Sequence, residues 1–204
     1  MIAIINYGSG NVRAIGNVYD NLKIPYKIID HPTILSDYSK IILPGVGSFD
    51  ETMKMLNNSG FKEELNKVAL IGQKPVLGIC VGMQILANGS EEGSLSGLGW
   101  IPGRVKKFDK TTIKNKPKLP HLGWNSIQVQ QSFKIFEDID KEEGFYFIHS
   151  YYFECSQHEN ILATTKYGID FSSAIVQGNI FGVQFHPEKS HRNGIRLLKN
   201  FAEL

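Results

Sequence analysis

The chain has 204 residues, of which 42% are hydrophobic and 21% charged, and a formal net charge of +2. This is ordinary for a globular protein long enough to bury a core, and a charge so near zero argues against a nucleic acid or an anionic membrane as partner. Two cysteines, Cys80 and Cys155, are no disulfide framework. The N-terminal MIAIINYGSGN lacks the basic region of a signal peptide, and the most apolar window, residues 76–87, is shorter than the ~20 residues that span a bilayer. One cytoplasmic domain over residues 1–204 is the expectation.

The first half alternates. IAIIN (residues 2–6) is a buried strand ending in the Gly-rich turn YGSGN. Residues 11–23 carry apolar Val12, Ile15, Val18, Tyr19 and Leu22 at helical spacing, and Pro25 stops them. YKII and KIILPG follow as strands. Residues 53–71 are mostly helical, with a break near Ser59 and Gly60. VLGI is a fourth strand, and VGMQILA begins a helix at Val81. Strands alternating with helices predict an α/β fold with a mostly parallel, flavodoxin-like sheet flanked by helices. The second half changes character. IPGRVKKF, NSIQVQ, GFYFIHS and NIFGVQF are short strands that add a mixed or antiparallel extension. KTTIKNKPK (residues 110–118) is expected as an exposed, mobile loop, and residues 193–204 close the chain as a helix.

Cys80 sits where strand becomes helix, in G-I-C-V-G. This is the spacing of the nucleophile elbow, with sulfur for oxygen. A helix N-terminus behind the thiol would favour its anion, the reactive form, and the Val81 N–H would face an oxyanion formed beside the sulfur. A buried structural cysteine is the plainer alternative, but packing explains neither flanking glycine. Cys155, in YYFECSQHE, has no such setting and is expected to be incidental.

A cysteine nucleophile needs a base. Of six histidines, His186 stands at the end of the strand in FGVQFHPEKS, where α/β sites gather. Glu188 lies two residues on, able to reach back and orient the ring, giving a triad in the order Cys80, His186, Glu188. LPGVGSFD follows the third strand and is placed to aim the N–H of Val46 or Gly47 at a reacting carbonyl. A plain turn would read the same way. NYGSGN has Gly8 and Gly10 but Arg13 where a dinucleotide fingerprint needs its third glycine, and no P-loop occurs. No cofactor is expected, and no metal, since CxxC and HExxH patterns are missing.

With NYGSGN, LPGVGSFD, GICVGMQ, GLGWIPGRVKKF, LPHLGWN, FYFIHSYY and FGVQFHPEKS in this order, the chain resembles the class I, triad-type glutamine amidotransferases. Within them it is similar to the glutaminase subunits of imidazole glycerol phosphate synthases. The resemblance runs end to end. Val81 is a departure, where leucine is more common, but the backbone N–H is what matters there. The resemblance implies hydrolysis of L-glutamine to glutamate and ammonia through a thioester on Cys80. It implies that Gln84 and the segment His149, Ser150, Tyr151 hold the substrate. It also implies a heterodimer with a barrel-type cyclase subunit, to which the ammonia passes to make imidazole glycerol phosphate and aminoimidazole carboxamide ribotide. Asn11, Trp124 and Lys189 match positions at or near that interface, although each also reads as a helix cap, a core aromatic and a solvated lysine. The rival readings are a stand-alone cysteine hydrolase on this fold, a nucleotide-binding module using NYGSGN, and a paralogous glutaminase serving another synthase, for example in sugar modification.

Overall fold

The computed structural model describes residues 1–113, 118–140 and 142–204. Strands β1 (Ile2–Ile5), β2 (Tyr26–Ile29), β3 (Lys40–Gly45) and β4 (Val76–Cys80) run parallel. Between them lie α1 (Val12–Leu22), α2 (Phe49–Ser59), α3 (Lys62–Asn66) and a π-helical turn at Lys67–Ile71. β1 and β4 are buried along their whole length, as strands covered on both faces must be. Asn11 caps α1, its side chain accepting the Ala14 N–H at 3.3 Å.

Helix α2 begins at Phe49, four residues ahead of the expected Met53. Asp50 and Glu51 suit its first turn, and Glu92, far along the chain, accepts the Phe49 N–H at 2.8 Å. No local pattern shows a cap supplied from that distance. The expected break is present, with Gly60 closing α2 at φ +79°.

After β4 come α4 (Val81–Gln84), β5 (Gly89–Ser90), β6 (Gly103–Lys107), β7 (His121–Asn125), β8 (Gln128–Val129), β9 (Phe145–His149) and β10 (Tyr151–Cys155). β11 (Ile161–Tyr167), β12 (Ile169–Gln177), β13 (Ile180–Val183) and α5 (His191–Ala202) complete the chain. The main sheet runs β2-β1-β3-β4-β13-β12-β10-β6-β5, and β8 joins it through β11 on β12. β13 lies parallel to β4, whereas β12, β10 and β6 continue antiparallel. The extension is therefore mixed, as expected.

The single strand expected over NSIQVQ is not one strand. Asn125 ends β7, which pairs with β9, and Gln128 begins β8, which pairs with β11. The alternating pattern spans a change of partner that only tertiary pairing decides. The expected loop over residues 110–118 starts as a 3-10 turn at Lys110–Thr112, and residues 114–117 lie outside the described residues.

Three neighbouring parallel strands position the site. Gly45 of β3 lies opposite Cys80, the last residue of β4, and Val183 of β13 lies opposite Ile79. The segments leaving β3, β4 and β13 therefore meet at one sheet edge. The β7–β9 ribbon closes over that edge: the His186 N–H donates to the Tyr146 carbonyl at 2.9 Å, and Ser190 Oγ accepts the Tyr146 N–H at 3.0 Å.

Candidate active site

Cys80 ends β4 at φ +56°, ψ −115°. A residue bearing a Cβ resists this conformation by about 1–3 kcal/mol, and such strain gathers at functional turns. Glycines make the turn fit. A Cβ on Gly78 would come within 2.6 Å of the Gly82 carbonyl oxygen, and one on Gly82 would overlap the Leu43 carbonyl oxygen of β3. One on Gly45 would strike the Gly82 N. The backbones of β3, β4 and α4 are thus in contact, which explains both glycines flanking the cysteine and adds a third.

Helix α4 is shorter than VGMQILA promised. It is helical only over Val81–Gln84, and Leu86 and Ala87 fold back on the Met83 and Gln84 carbonyls. The chain must turn there to enter β5 while staying buried. A single turn carries little macrodipole, so an anion at Cys80 depends on individual donors rather than on a helix end.

His186 is buried, and its Nδ1 lies 2.8 Å from Glu188 Oε1. The carboxylate accepts, so Nδ1–H donates, leaving Nε2 as the ring nitrogen free to serve Cys80, which lines the same cleft. Burial by itself would hold this imidazole neutral. The hydrogen bonds to Cys80 and Glu188 more than offset that and push its pKa up to about 10.

The loop after β3 differs from the expectation in one respect. The Val46 N–H donates to Ser9 Oγ at 2.9 Å, and Ser9 Oγ donates back to the Val46 carbonyl at 2.9 Å. Tyr7 Oη donates to the Pro44 carbonyl at 2.5 Å. NYGSGN therefore clasps the loop, and a Cβ on Gly10 would come within 2.5 Å of the Pro44 side chain. The Val46 N–H is therefore engaged by Ser9. Val81 opens α4, so its N–H has no intrahelical partner.

Cys80 and His186 line a cleft of about 400 Å³, with Val46, Gly47 and Val81 on one side. Gln84, His149, Ser150, Tyr151 and Lys189 line the rest. Glu188 sits behind His186. Asn11 caps α1 at the same sheet edge but does not line the cleft. Trp124 is no core aromatic: it is exposed on β7, stacked on His191 with ring centroids 5.1 Å apart. The Lys189 ammonium stands 5.7 Å from the Tyr146 ring centroid. Sequence reasoning missed three lining residues, Glu92, Pro120 and Ile148. Glu92 lies in an ordinary acidic loop stretch, SEEG, that carries no motif.

Buried polar groups around the cleft have their proton positions dictated by one carbonyl. The Tyr151 oxygen can only accept. His149 Nδ1, 2.7 Å from it, must carry a proton, so in the neutral ring His149 Nε2 accepts from His121 Nδ1–H at 3.0 Å. His121 Nε2 then accepts from Asn125 Nδ2 at 3.2 Å. Burial pulls the His149 pKa down to about 3, helped by His121, and burial pulls His121 down to about 4. With both nitrogens engaged, His149 is no rival base.

A cysteine elbow beside a buried His–Glu pair, on a mostly parallel sheet, defines a class of acyl-transfer enzyme. A family model described as "Glutamine amidotransferase class-I" matches residues 3–204, and the chain belongs to that family. It is 48% identical over 204 residues to "Imidazole glycerol phosphate synthase subunit HisH" of Bdellovibrio bacteriovorus, with 100% of both chains covered. The subunit of the same name from Leptospira interrogans is 47% identical over 204 residues, again with 100% of both covered. "Imidazole glycerol phosphate synthase subunit HisH 2" of Methanococcus maripaludis is 46% identical, covering 100% of this chain and 99% of that one. Among solved structures, PurLQS from Thermotoga maritima superposes with a TM-score of 0.74 at 18% identity, covering 99% of this chain and 96% of the other. That likeness speaks for the fold alone. No helix among the described residues is long and apolar enough to cross a membrane.

Proposed function

We propose that this chain is the single-domain glutaminase subunit of a cytoplasmic imidazole glycerol phosphate synthase, hydrolysing L-glutamine with Cys80, His186 and Glu188. The observation that carries this reading is the buried chain Cys80–His186–Glu188 at the meeting point of three strand ends. Family membership and full-length likeness to subunits of that name support it.

Glutamine enters the cleft with its carboxamide at Cys80. Glu92 is the acidic side chain among the lining residues and suits the substrate's ammonium group, while the Ser150–Tyr151 backbone and Gln84 flank it. The sulfur attacks the carboxamide carbon. The negative charge passes to the carbonyl oxygen, which the Val81 N–H receives, with a second donor from Gly47 or Val46. Each such donor contributes about 3–4 kcal/mol in the transition state. His186 Nε2, which takes the thiol proton as the sulfur attacks, passes it to the departing ammonia. It then takes a proton from the water that attacks the glutamyl thioester, and glutamate leaves with the thiol restored. Glu188 keeps the ring in the Nδ1–H tautomer throughout.

A partner completes the site. The outer face of the β7–β9 ribbon exposes Leu122, Trp124 and Ile148 beside the cleft, and Val46 is exposed at its rim. An apolar rim of this kind suits a docking surface. The partner is a barrel-type cyclase forming a heterodimer and consuming the ammonia, with Lys189, Trp124 and Asn11 at or near the contact. Because the Val46 N–H is held by Ser9, the free chain is a slow glutaminase and docking releases that amide into the site.

The test measures glutamine hydrolysis by the chain alone, with the cyclase, and with cyclase plus its nucleotide. The expected result is a rise at each step, with synthase output in Cys80→Ala complexes surviving on added ammonium salt. A high rate from the chain alone, unchanged by the cyclase, refutes the subunit reading and favours a free-standing hydrolase.

A further inference from the structure

Gln184 follows β13 and is fully buried, directly beneath the reacting sulfur. Its Nε2 lies 3.8 Å from Cys80 Sγ, and its Oε1 accepts from Gln84 Nε2 at 3.0 Å. The amide orientation follows from chemistry. Gln84 Nε2 also lies 3.2 Å from the Tyr151 carbonyl, which can only accept, so this atom of Gln84 is the nitrogen. The Gln184 atom facing it must then be oxygen, and the one facing Cys80 must be the NH2 group. The backbone N–H of Gln184 is bonded to Ser173 O at 2.9 Å, which anchors the residue.

We propose that Gln184 is a further catalytic residue of this site, an N–H donor that stabilises Cys80 as thiolate and ties the sulfur to Gln84 in the glutamine cleft. The inference rests on Cys80 being the nucleophile. Its physical basis is the shortness of α4. One helical turn offers little dipole to an anion, and His186 supplies one hydrogen bond. A buried sulfur anion needs further donors, and Gln184 is aimed at it from the strand on the side away from β3. As the sulfur attacks and its charge moves to the carboxamide oxygen, the Gln184 bond loosens. The Gln84–Tyr151 connection keeps the cleft wall in register with the nucleophile meanwhile.

The test uses the full chain in a Cys155→Ser background, so that only Cys80 can be alkylated. Iodoacetamide reacts with the thiolate, so its rate against pH reads thiolate formation without partner or substrate. Gln184→Met and Gln184→Leu both remove the donor at similar size without placing a new charge or O–H beside the sulfur. Both variants should displace the pH–rate profile upward by about one unit, as loss of a charge-assisted hydrogen bond predicts. Inactivation by an electrophilic glutamine analogue should show a lower limiting rate in Gln184→Met. Thermal melts identify a variant that has failed to fold, and the other variant then decides. If wild-type Cys80 alkylates but a folded variant follows the same pH profile, the role assigned to Gln184 is overturned and it is only packing. If wild-type Cys80 does not react with the analogue at all, the nucleophile assignment itself falls.

Discussion

Acidification from pH 7.5 to 5 should cost the fold about 4 kcal/mol, through His121 and His149. Both rings are buried in the neutral form, with native pKa values near 4 and 3 against an ordinary 6.5. A depressed value means that the unfolded chain binds the protons the native chain refuses. The stability is therefore present in full above pH 6.5 and lost as pH falls toward the native values. From 6.5 to 5 is a span of 1.5 units, and at ~1.4 kcal/mol per unit each histidine contributes about 2 kcal/mol. Because both native values lie below 5, this figure hardly depends on them. Protonation would also set His149 Nε2–H against His121 Nδ1–H, two donors 3.0 Å apart. His186 acts in the opposite sense. Its raised value gives stability that is complete below 6.5 and lost as pH climbs toward 10, so between pH 7.5 and 6.5 it offsets about 1.4 kcal/mol of the acid loss. The assay is urea unfolding at pH 7.5, 6 and 5 for the wild type and His121→Gln, which retains a donor to His149. The variant should show about 2 kcal/mol less acid loss than the wild type. Equal wild-type stability at 7.5 and 5, or an undiminished slope in His121→Gln, would refute the tautomer chain.

An electrophilic glutamine analogue should label Cys80 and spare Cys155, whose thiol burial pushes up to about 11; label found on Cys155 by peptide mapping would overturn the assignment. Steady-state glutamine hydrolysis should be abolished in Cys80→Ala and nearly so in His186→Ala, with a smaller loss in Glu188→Gln because that group orients and does not react. The double change Cys80→Ala, His186→Ala should cost no more than the worse single one, since the members act together. Gly82→Ala should lower the unfolding midpoint by an amount equivalent to about 3 kcal/mol or more and remove activity, because its methyl overlaps the Leu43 carbonyl.

Much of this protein was legible before any coordinates. The parallel half announced itself because both faces of β1, β3 and β4 are covered, which leaves continuous apolar runs such as IAII and VLGI. The elbow was legible because a turn that tight demands glycine two residues either side of the cysteine, and His186 with Glu188 because of their i, i+2 spacing, although a 3-10 turn at Pro187–Lys189, and not extended chain, brings them together. Other features depended on distant groups. Glu92 caps α2 from across the fold, the pattern in NSIQVQ gave no sign that Asn125 and Gln128 would pair with different strands, and α4 stopped after one turn because the chain had to enter β5.

The local chemistry of the site, the residue types and their spacing, was determined by the sequence itself, since it depends on neighbours one to three positions apart. What the tertiary structure decided was which distant groups share a hydrogen bond. Ser9 holds the Val46 amide, the Tyr151 carbonyl dictates the protons on His149 and Gln84, and Gln184 reaches the sulfur from a strand more than a hundred residues later in the chain. Such bonds leave no periodic trace, because each donor meets its acceptor only after the sheet has brought β3, β4 and β13 side by side.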